Sequence, residues 1–512
     1  MAGLQQLSTL TEAEDGVSIA ISTMLMCAMT FFMGLFYLVN HSKELVRMRA
    51  WQAISSTISV FGSILIFRSC KTALEMAMAP FDIHSPWTIM GLAFTQTCIW
   101  YYLMMYVLGY AVKQAVILDG TAVEKHLLCV QLCTTFGTLF AHVTGFAALN
   151  MWARLQQMYP FNLSPLMTWC AVGVTATVTF VYVYVADVLY RVLSERVRKV
   201  CPVGVFTWQE YFYDATYDIC GVCWGFSIVQ ALRYSITGTL PDLEGNDFLK
   251  HTPGEAWALL LIGIVAIVLK VVIFLSKPPP SETSREILSG NGFKKWFYVY
   301  DNIFSSALIM TSAWMLMWAV ATWLEIFFGF GSNMLGVVVR SMVCSTWGFF
   351  LIMVLAYGQD AVSDEKQKCF CDLVEQITPS IGILIGFSWE SCFDEAVEVA
   401  SRALLLPLGE QYTSFGKLTL SILVAMVVMP AWSWYIVPSV VVIEEEEKEE
   451  WQKDVLAHHD MLFGSGQVGF KSLEDEKTFM EDRVRQVEEQ LWKNKKASPQ
   501  EKFAMLRKLI MS

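Results

Sequence analysis

Charged side chains are scarce in this sequence. Only 16% of its 512 residues are Asp, Glu, Lys or Arg, whereas about 25% is usual in soluble proteins. The charges are also unevenly distributed, because residues 443–512 contain 28 of the 83 charged side chains and the first 442 residues are only about 12% charged. This distribution excludes an ordinary soluble enzyme and a disordered scaffold. It predicts an all-α polytopic membrane protein with a charged C-terminal tail.

The sequence also lacks long basic runs and the common signatures of enzymes. Its net charge is −11, so we do not expect nucleic acid among its partners. The seven histidines are scattered, with no H-E-x-x-H motif, and G-x-S-x-G is absent as well. We therefore predict no enzymatic activity, no catalytic residue, no bound metal and no cofactor. A formal G-x-G-x-x-G at 464–469 lies in the tail, whose mostly polar residues cannot provide the βαβ unit that this motif needs, and we interpret it as a flexible linker.

Long apolar runs, by contrast, are abundant. Helices are the expected element in them, because an open strand would leave its backbone amides unpaired in lipid. A helix crosses about 30 Å of hydrocarbon with roughly 20 residues, and suitable runs occur at 17–39, 53–75, 87–111, 127–149, 165–190, 214–234, 256–276, 303–326, 333–357, 376–396 and 417–441. The sequence thus predicts about 11 transmembrane helices in a domain at 17–442, embedded in the lipid bilayer. A short extracytoplasmic N-terminus at 1–16 and a charged, helical cytoplasmic tail at 443–512 complete the predicted organisation.

Lys and Arg are unevenly divided between the two sets of loops. The loops that follow odd-numbered spans contain fifteen of them, whereas the opposite loops contain only Arg154, Lys250, Arg402 and Lys417. Positively charged loops stay in the cytoplasm. We therefore predict an integral membrane protein whose N-terminus is outside and whose C-terminus is cytoplasmic.

Several parts of the predicted membrane domain resemble one another. The segments Pro80–Pro86 and Pro160–Pro165 both begin with Pro-Phe, 80 residues apart, and Leu-Pro-Asp-Leu follows at 240–243. The first helices of five successive pairs can be aligned through Ile66, Ala141, Trp224, Trp314 and Trp389. Gly225-Phe226-Ser227 and Gly386-Phe387-Ser388 match in a second register. We predict one leading helix followed by five helix-pair repeats, and chance similarity among apolar helices is the alternative.

Ionisable side chains inside the spans are costly in lipid, so each is a candidate for function. Four of the five pairs have such groups at similar heights near the outer end of their first helix. The candidates are Arg68, Lys71 and Glu75 in span two, His142 in span four, Arg233 in span six, and Glu390, Asp394 and Glu398 at span ten. The last three recur every four residues and share one helical face, where like charges repel. We expect bound cations or protonated carboxyls to relieve this repulsion.

Two interpretations of these charges remain open. In the functional one, the acids of span ten and the opposing basic residues line an outward-facing polar cavity, in which Glu390 and Asp394 bind a cation or relay protons. In the structural one, the same residues form ion pairs between helices and only fix the positions of those helices. Glu325 and Arg340 flank a short outer turn, and we expect them to pair with each other there.

The spans, the repetition and the intramembrane acids favour a transporter or channel-like protein for a small cation or polar solute, with the acids of span ten as a route for proton coupling. The alternative is a non-transporting receptor, assembly factor or scaffold that acts through its cytoplasmic tail. In that tail, residues 480–491 have an amphipathic helical pattern, and Ser498–Glu501 forms a capping box that begins another helix. Under this alternative we expect a protein partner or self-association through the tail.

Overall fold

A computed structural model of the chain describes residues 22–23, 25–78, 85–117, 122–198, 202–246, 251–276, 287–288, 290, 292–329, 334–361, 364–405 and 409–443. This part of the chain is 92% helical and contains no strand, as the predicted all-α class requires. The N-terminal segment 1–16 and the tail from residue 444 onward lie outside the described residues. The two predicted tail helices and the G-x-G-x-x-G segment therefore lie outside them too.

Most of the described residues belong to eleven helices. They are α1 Leu25–Val39, α2 Glu44–Met78, α3 Pro86–Ile117, α4 Ala122–Gln157, α5 Pro165–Arg198, α6 Pro202–Thr237, α7 Pro253–Ser276, α8 Phe293–Phe328, α9 Met334–Ala361, α10 Asp364–Leu405 and α11 Glu410–Ala431. Pro430 lies near the end of α11, and a π-helical turn at Trp432–Ile436 carries the helix on to residue 443. For spans two to ten, the described part of each predicted span lies within one of these helices. Span one corresponds to α1 and residues 22–23, and span eleven continues from α11 through the π-helical turn.

Eight of the described helices are long and apolar enough to cross a membrane, namely α2, α4, α5, α6, α7, α8, α9 and α11. The helix α1 is apolar but shorter. The helix α10 has 42 residues and contains the acids of the predicted span ten. Multiple apolar helices of this kind fit a multi-pass membrane protein, while the count of eleven spans remains a prediction.

The even-numbered helices α2, α4, α6, α8 and α10 form a closed ring. Each contacts the next one along the chain, and α10 returns to contact α2. Each following odd-numbered helix packs against the next member of the ring, so that α3 contacts α4, α5 contacts α6, α7 contacts α8, α9 contacts α10, and α11 contacts α2. The second helix of one pair thus covers the first helix of the next. The ring is thus an inner layer and the odd-numbered helices from α3 onward are an outer layer, while repetition of helix pairs remains a prediction.

Burial distinguishes the two layers. Between 50% and 72% of the most apolar segment is buried in α2, α4, α6 and α8, but only 11–39% in α5, α7, α9 and α11. The exposed side of the outer helices consists of large apolar residues, for example Leu261, Val265 and Val272 of α7. The helix α1 packs on the outside of α9 and α10, where Phe31 contacts Phe349 and Trp389. An apolar outer surface around a buried ring is the arrangement that a bilayer requires.

Glycines allow the ring helices to approach closely. A Cβ atom at Gly225 of α6 would lie 3.0 Å from the carbonyl oxygen of Ala307 in α8, and one at Gly386 of α10 would lie 3.0 Å from that of Thr57 in α2. Both glycines end a G-x-x-x-G pair, and Gly145 of α4 faces α6 in the same way. Small residues at such positions let helix backbones come together in membranes. Three of the five contacts around the ring are built in this manner.

Candidate functional site

A cavity of about 700 Å³ lies inside the ring, in the C-terminal halves of its helices. All five ring helices contribute lining residues, and so do α9, α11, residues 243–246 and His251. Its volume is within the range of about 300–1,000 Å³ that is typical of small-molecule sites. The cavity is therefore large enough for a small organic solute or a partly hydrated ion.

Most of the charged residues singled out in the sequence line this cavity. Seven of the eight candidates do so, namely Arg68, Lys71, Glu75, Arg233, Glu390, Asp394 and Glu398. His142 does not belong to the lining. It is buried between α4 and α2, where its Nδ1 lies 2.7 Å from the Ser59 hydroxyl. The expectation that His142 faces the cavity is corrected accordingly, because its side chain is directed to the neighbouring ring helix.

Arg68 neutralises the acidic face of α10. Its guanidinium lies 3.0 Å from a carboxylate oxygen of Glu390 and forms a second ion pair with Asp394. The four-residue spacing of the two acids brings both to the same side of α10, directly opposite α2. The repulsion expected along this face is thus relieved by a side chain of the protein itself. This ion pair also joins two helices, so both interpretations of the charged residues retain a geometric basis.

The outermost acid of this face is paired differently. Glu398 accepts a hydrogen bond of 2.8 Å from Lys417 of α11 and pairs with Arg402 at 2.6 Å. Glu398 lies beyond the predicted span ten, and the hydrogen bond from Lys417 lowers its pKa. The side chain of Glu390 is 8% exposed, whereas that of Glu398 is 29% exposed. The acidic face therefore runs from a buried position inside the ring to a partly exposed one near its end.

Glu325 and Arg340 do not pair with each other, contrary to expectation. Both line the cavity instead, and no carboxylate of the described residues lies within 4.0 Å of the Arg340 guanidinium. Arg340 is only 8% exposed. A signal for it was present in the sequence, because Arg340 lies seven residues inside the apolar run that begins at 333. Its depth in the span, and not its proximity to the turn, agrees with its position in the cavity wall.

The connection after α6 folds back over the ring. Arg233 donates a hydrogen bond to the carbonyl oxygen of Gly245, and Gln230 donates one of 2.7 Å to that of Asp242. Gly245 has a positive φ of 84°, a conformation that glycine adopts without strain. These hydrogen bonds hold residues 242–246 against the end of α6, where Glu244 and Asn246 become part of the cavity wall.

An aromatic floor closes the inner end of the cavity. Each helix of the ring contributes one aromatic side chain to this floor, and the five residues are Phe67, Phe146, Phe226, Trp314 and Phe387. The centroid of Trp314 lies 5.2 Å from that of Phe226 and 5.0 Å from that of Phe387, and Phe387 lies 5.4 Å from Phe146.

Buried apolar residues pack against the aromatic floor in the same cluster. They include Val60, Val143, Val222, Met310 and Ile383, one from each ring helix. The ring therefore contains a polar chamber in one half and an apolar core in the other.

Acidic groups outnumber basic groups in the cavity wall. Seven Asp and Glu residues and five Lys and Arg residues line it. An excess of acid in a partly enclosed chamber favours cations over anions, because the walls have a low dielectric constant and focus the field. Among the described residues, no group of three or more His, Cys, Asp and Glu side chains has the geometry of a metal site.

Comparisons with known proteins add no relative to this description. No family model, no curated protein and no solved structure matches the chain.

Proposed function

We propose that this protein is a membrane transporter or channel-like protein for a small cation or polar solute, and that the cavity inside the ring binds the solute. The observation that supports it best is the chamber itself, a polar cavity of about 700 Å³ enclosed by apolar helices. Charged groups inside a membrane domain cost free energy, so a chamber lined by them is interpreted as functional. Its acidic excess favours a cation or a solute with a cationic group.

The aromatic floor supports a transport cycle with more than one state. The cavity is closed on one side by five rings and the apolar core below them. A solute that crosses the protein must therefore displace the floor, as alternating access requires. The predicted outside position of the N-terminus, which also belongs to this proposal, would make the described form outward-facing.

Similarity among the ring helices supports the proposed origin from five repeated pairs. Gly145-Phe146, Gly225-Phe226 and Gly386-Phe387 occupy corresponding positions, with the glycine against the next ring helix and the phenylalanine in the aromatic floor. Of the residues in our first alignment, only Trp314 belongs to that floor, so the second register is the better one. Transporters are often built from internal repeats with the binding site at their interface.

The acids on α10 provide the test of this function. The full-length protein in proteoliposomes is assayed for flux of H⁺, Na⁺, K⁺ and a panel of small organic cations. Glu390→Gln and Asp394→Asn each leave Arg68 with one carboxylate, so we expect both variants to fold. Loss of a charge-assisted contact costs about 1.5–3 kcal/mol, which corresponds to a flux lowered roughly ten- to a hundredfold. Glu195→Gln is the matched control, because Glu195 is an exposed acid near the C-terminal end of α5 that does not line the cavity.

The outcome separates transport from the alternative function. Reduced flux in both cavity variants, with unchanged flux in the control, supports the proposal. If no solute of the panel moves through the unmodified protein, and a cytosolic protein co-purifies with the chain but not with one ending at residue 443, a receptor or scaffold acting through the tail replaces the transporter.

A further inference from the structure

A buried arginine that forms no ion pair with any described carboxylate lies in the wall of the cavity. The Arg340 side chain is 8% exposed and lines the cavity. Its Nε atom has no hydrogen-bond partner, and no described carboxylate lies within 4.0 Å of its guanidinium. A buried guanidinium is costly when it is unpaired. Arg68, by comparison, pairs with two carboxylates of the same cavity. Among the described residues nothing supplies a counterion at ion-pair distance, so the position of Arg340 suits the anionic group of a ligand.

A second arginine and a tryptophan accompany Arg340. The guanidinium carbon of Arg233 lies 4.2 Å from the ring centroid of Trp318, and that of Arg340 lies 5.7 Å from the same ring. Both distances are within the range of about 6 Å over which a cation interacts with an aromatic face. Trp318 therefore holds two cationic groups, from α6 and α9, in one part of the wall. Such planar donors suit the flat geometry of a carboxylate or the oxygens of a phosphate.

The acids of α10 belong to the same cavity wall. Glu390, Asp394 and Glu395 line the same cavity as Arg340. We infer that the solute is a small zwitterion, whose oxyanion is bound by Arg340 beside Trp318 and whose cationic group is bound by the acids of α10. This inference depends on the proposed function, because it names the class of solute that the cavity accepts.

Matched sets of probes test the inference on the full-length protein purified in detergent. The first set is an equimolar mixture of the L-amino acids alanine, serine, leucine, methionine and phenylalanine. Their amides lack the carboxylate, and their N-acetyl derivatives lack the ammonium group. The second set is phosphorylcholine and choline, which distinguishes a phosphate from a carboxylate as the bound oxyanion. Affinity is obtained from the rise in the unfolding temperature with probe concentration.

We expect either the amino-acid mixture or phosphorylcholine to bind more tightly than the analogues of its set that lack one of the two charges. The difference should be roughly ten- to a hundredfold, as is usual for one charge-assisted contact. Arg340→Gln should lower the affinity for that zwitterion to the level of the cation without the oxyanion, and leave the affinity for the cation unchanged. Arg47→Gln changes an exposed arginine near the start of α2 and should preserve the full difference.

Three results would overturn the inference. The first is equal affinity for the zwitterions and for the cations that lack an oxyanion. The second is that no probe of either set binds. The third is that Arg340→Gln lowers the affinities for a zwitterion and for its cationic analogue by the same factor. Cation flux that persists in proteoliposomes under any of these results leaves the proposed function intact, whereas absence of all flux removes that function as well. If Arg340→Gln does not fold, the comparison of probes on the unmodified protein still decides. Arg340→Lys, which keeps the charge, should then retain part of the preference.

Discussion

Replacement of Arg68 by Gln should destabilise the protein more than replacement of either of its acidic partners. Arg68 of α2 pairs with both Glu390 and Asp394 of α10. Arg68→Gln leaves two neighbouring carboxylates without a cation, and one of them, Glu390, is only 8% exposed. Glu390→Gln leaves Arg68 paired with Asp394. The two variants therefore lose unequal amounts of folding free energy, although both remove the contact between Arg68 and Glu390.

The magnitude follows from the exposure of the three side chains. Removal of one partner of a fully buried ion pair costs about 3–5 kcal/mol, mainly because a charge is left buried alone. Arg68 is 28% exposed and Asp394 is 39% exposed, so water screens part of the interaction. We expect a loss of about 2–3 kcal/mol for Arg68→Gln and about 1 kcal/mol for Glu390→Gln. In the double variant Arg68→Gln with Glu390→Gln, no carboxylate is buried alone. Its loss of folding free energy should therefore be about 1–2 kcal/mol smaller than the sum of the two single losses.

Thermal unfolding in detergent, followed at one fixed scan rate, is the appropriate assay, since large membrane proteins often unfold irreversibly. For a chain of this size, 1 kcal/mol corresponds to a shift in Tm of about 2 °C or less. Arg68→Gln should therefore lower Tm by up to about 4–6 °C. Arg402→Gln is the control, because its side chain is 64% exposed and surface pairs contribute less than about 1 kcal/mol.

Two results would refute this reasoning. The first is an Arg68→Gln variant as stable as Arg402→Gln, which would mean that the ion pair contributes no more than a surface pair. The second is a double variant with Glu390→Gln whose loss equals the sum of the single losses. That result would mean that the two residues do not interact.

Three further predictions concern packing, the floor and pH. Gly382→Ala should cost about 1–3 kcal/mol, because a Cβ there would lie 2.7 Å from a carbonyl oxygen of α2, whereas Gly91→Ala, which meets nothing within 4 Å, should leave Tm unchanged. Trp314→Ala removes the central ring of the aromatic floor and should raise the background flux in proteoliposomes, and an unchanged flux would contradict closure by the floor. Lys417 lowers the pKa of Glu398, so this pair stabilises the folded protein above the unfolded pKa of about 4.3 and the effect disappears as the pH falls. The difference in Tm between the unmodified protein and Lys417→Met should therefore be present at about pH 7 and absent near about pH 3.

The helices and the candidate acids were accessible from the sequence because they depend on local patterns. The apolar runs fix where helices occur, and the four-residue spacing of Glu390, Asp394 and Glu398 fixes their common face. Closure of the ring could not be predicted from such local patterns, because it depends on which helices pack together. The partner of the acidic face, Arg68, was among the candidates, but only the packing of α2 against α10 brings the charges into contact.

The errors have physical causes as well. The first alignment places Trp224, Trp314 and Trp389 at one level, but only Trp314 lines the cavity. The indole of Trp389 instead donates a hydrogen bond to Ser345 of α9. His142 was grouped with the cavity by its height in the membrane, while the direction of its side chain was undetermined. Arg340 was assigned to a turn because its distance along the chain to Glu325 is short. In each case the rotation of a helix about its axis decides the environment of the side chain, and only tertiary contacts determine that rotation.

Closure of the ring by the last helices has a consequence for biosynthesis. Trp432, just beyond α11, donates a hydrogen bond of 3.1 Å to Ser55 of α2, 377 residues earlier. Glu390 follows Arg68 by 322 residues, so at about 5–20 residues per second the ribosome needs roughly 15–65 s to deliver the counterion. During that interval Arg68 of the nascent chain lacks its two ion-pair partners, Glu390 and Asp394. A product truncated before α10 never acquires these partners, so its Arg68 stays without the ion pairs that join α2 to α10.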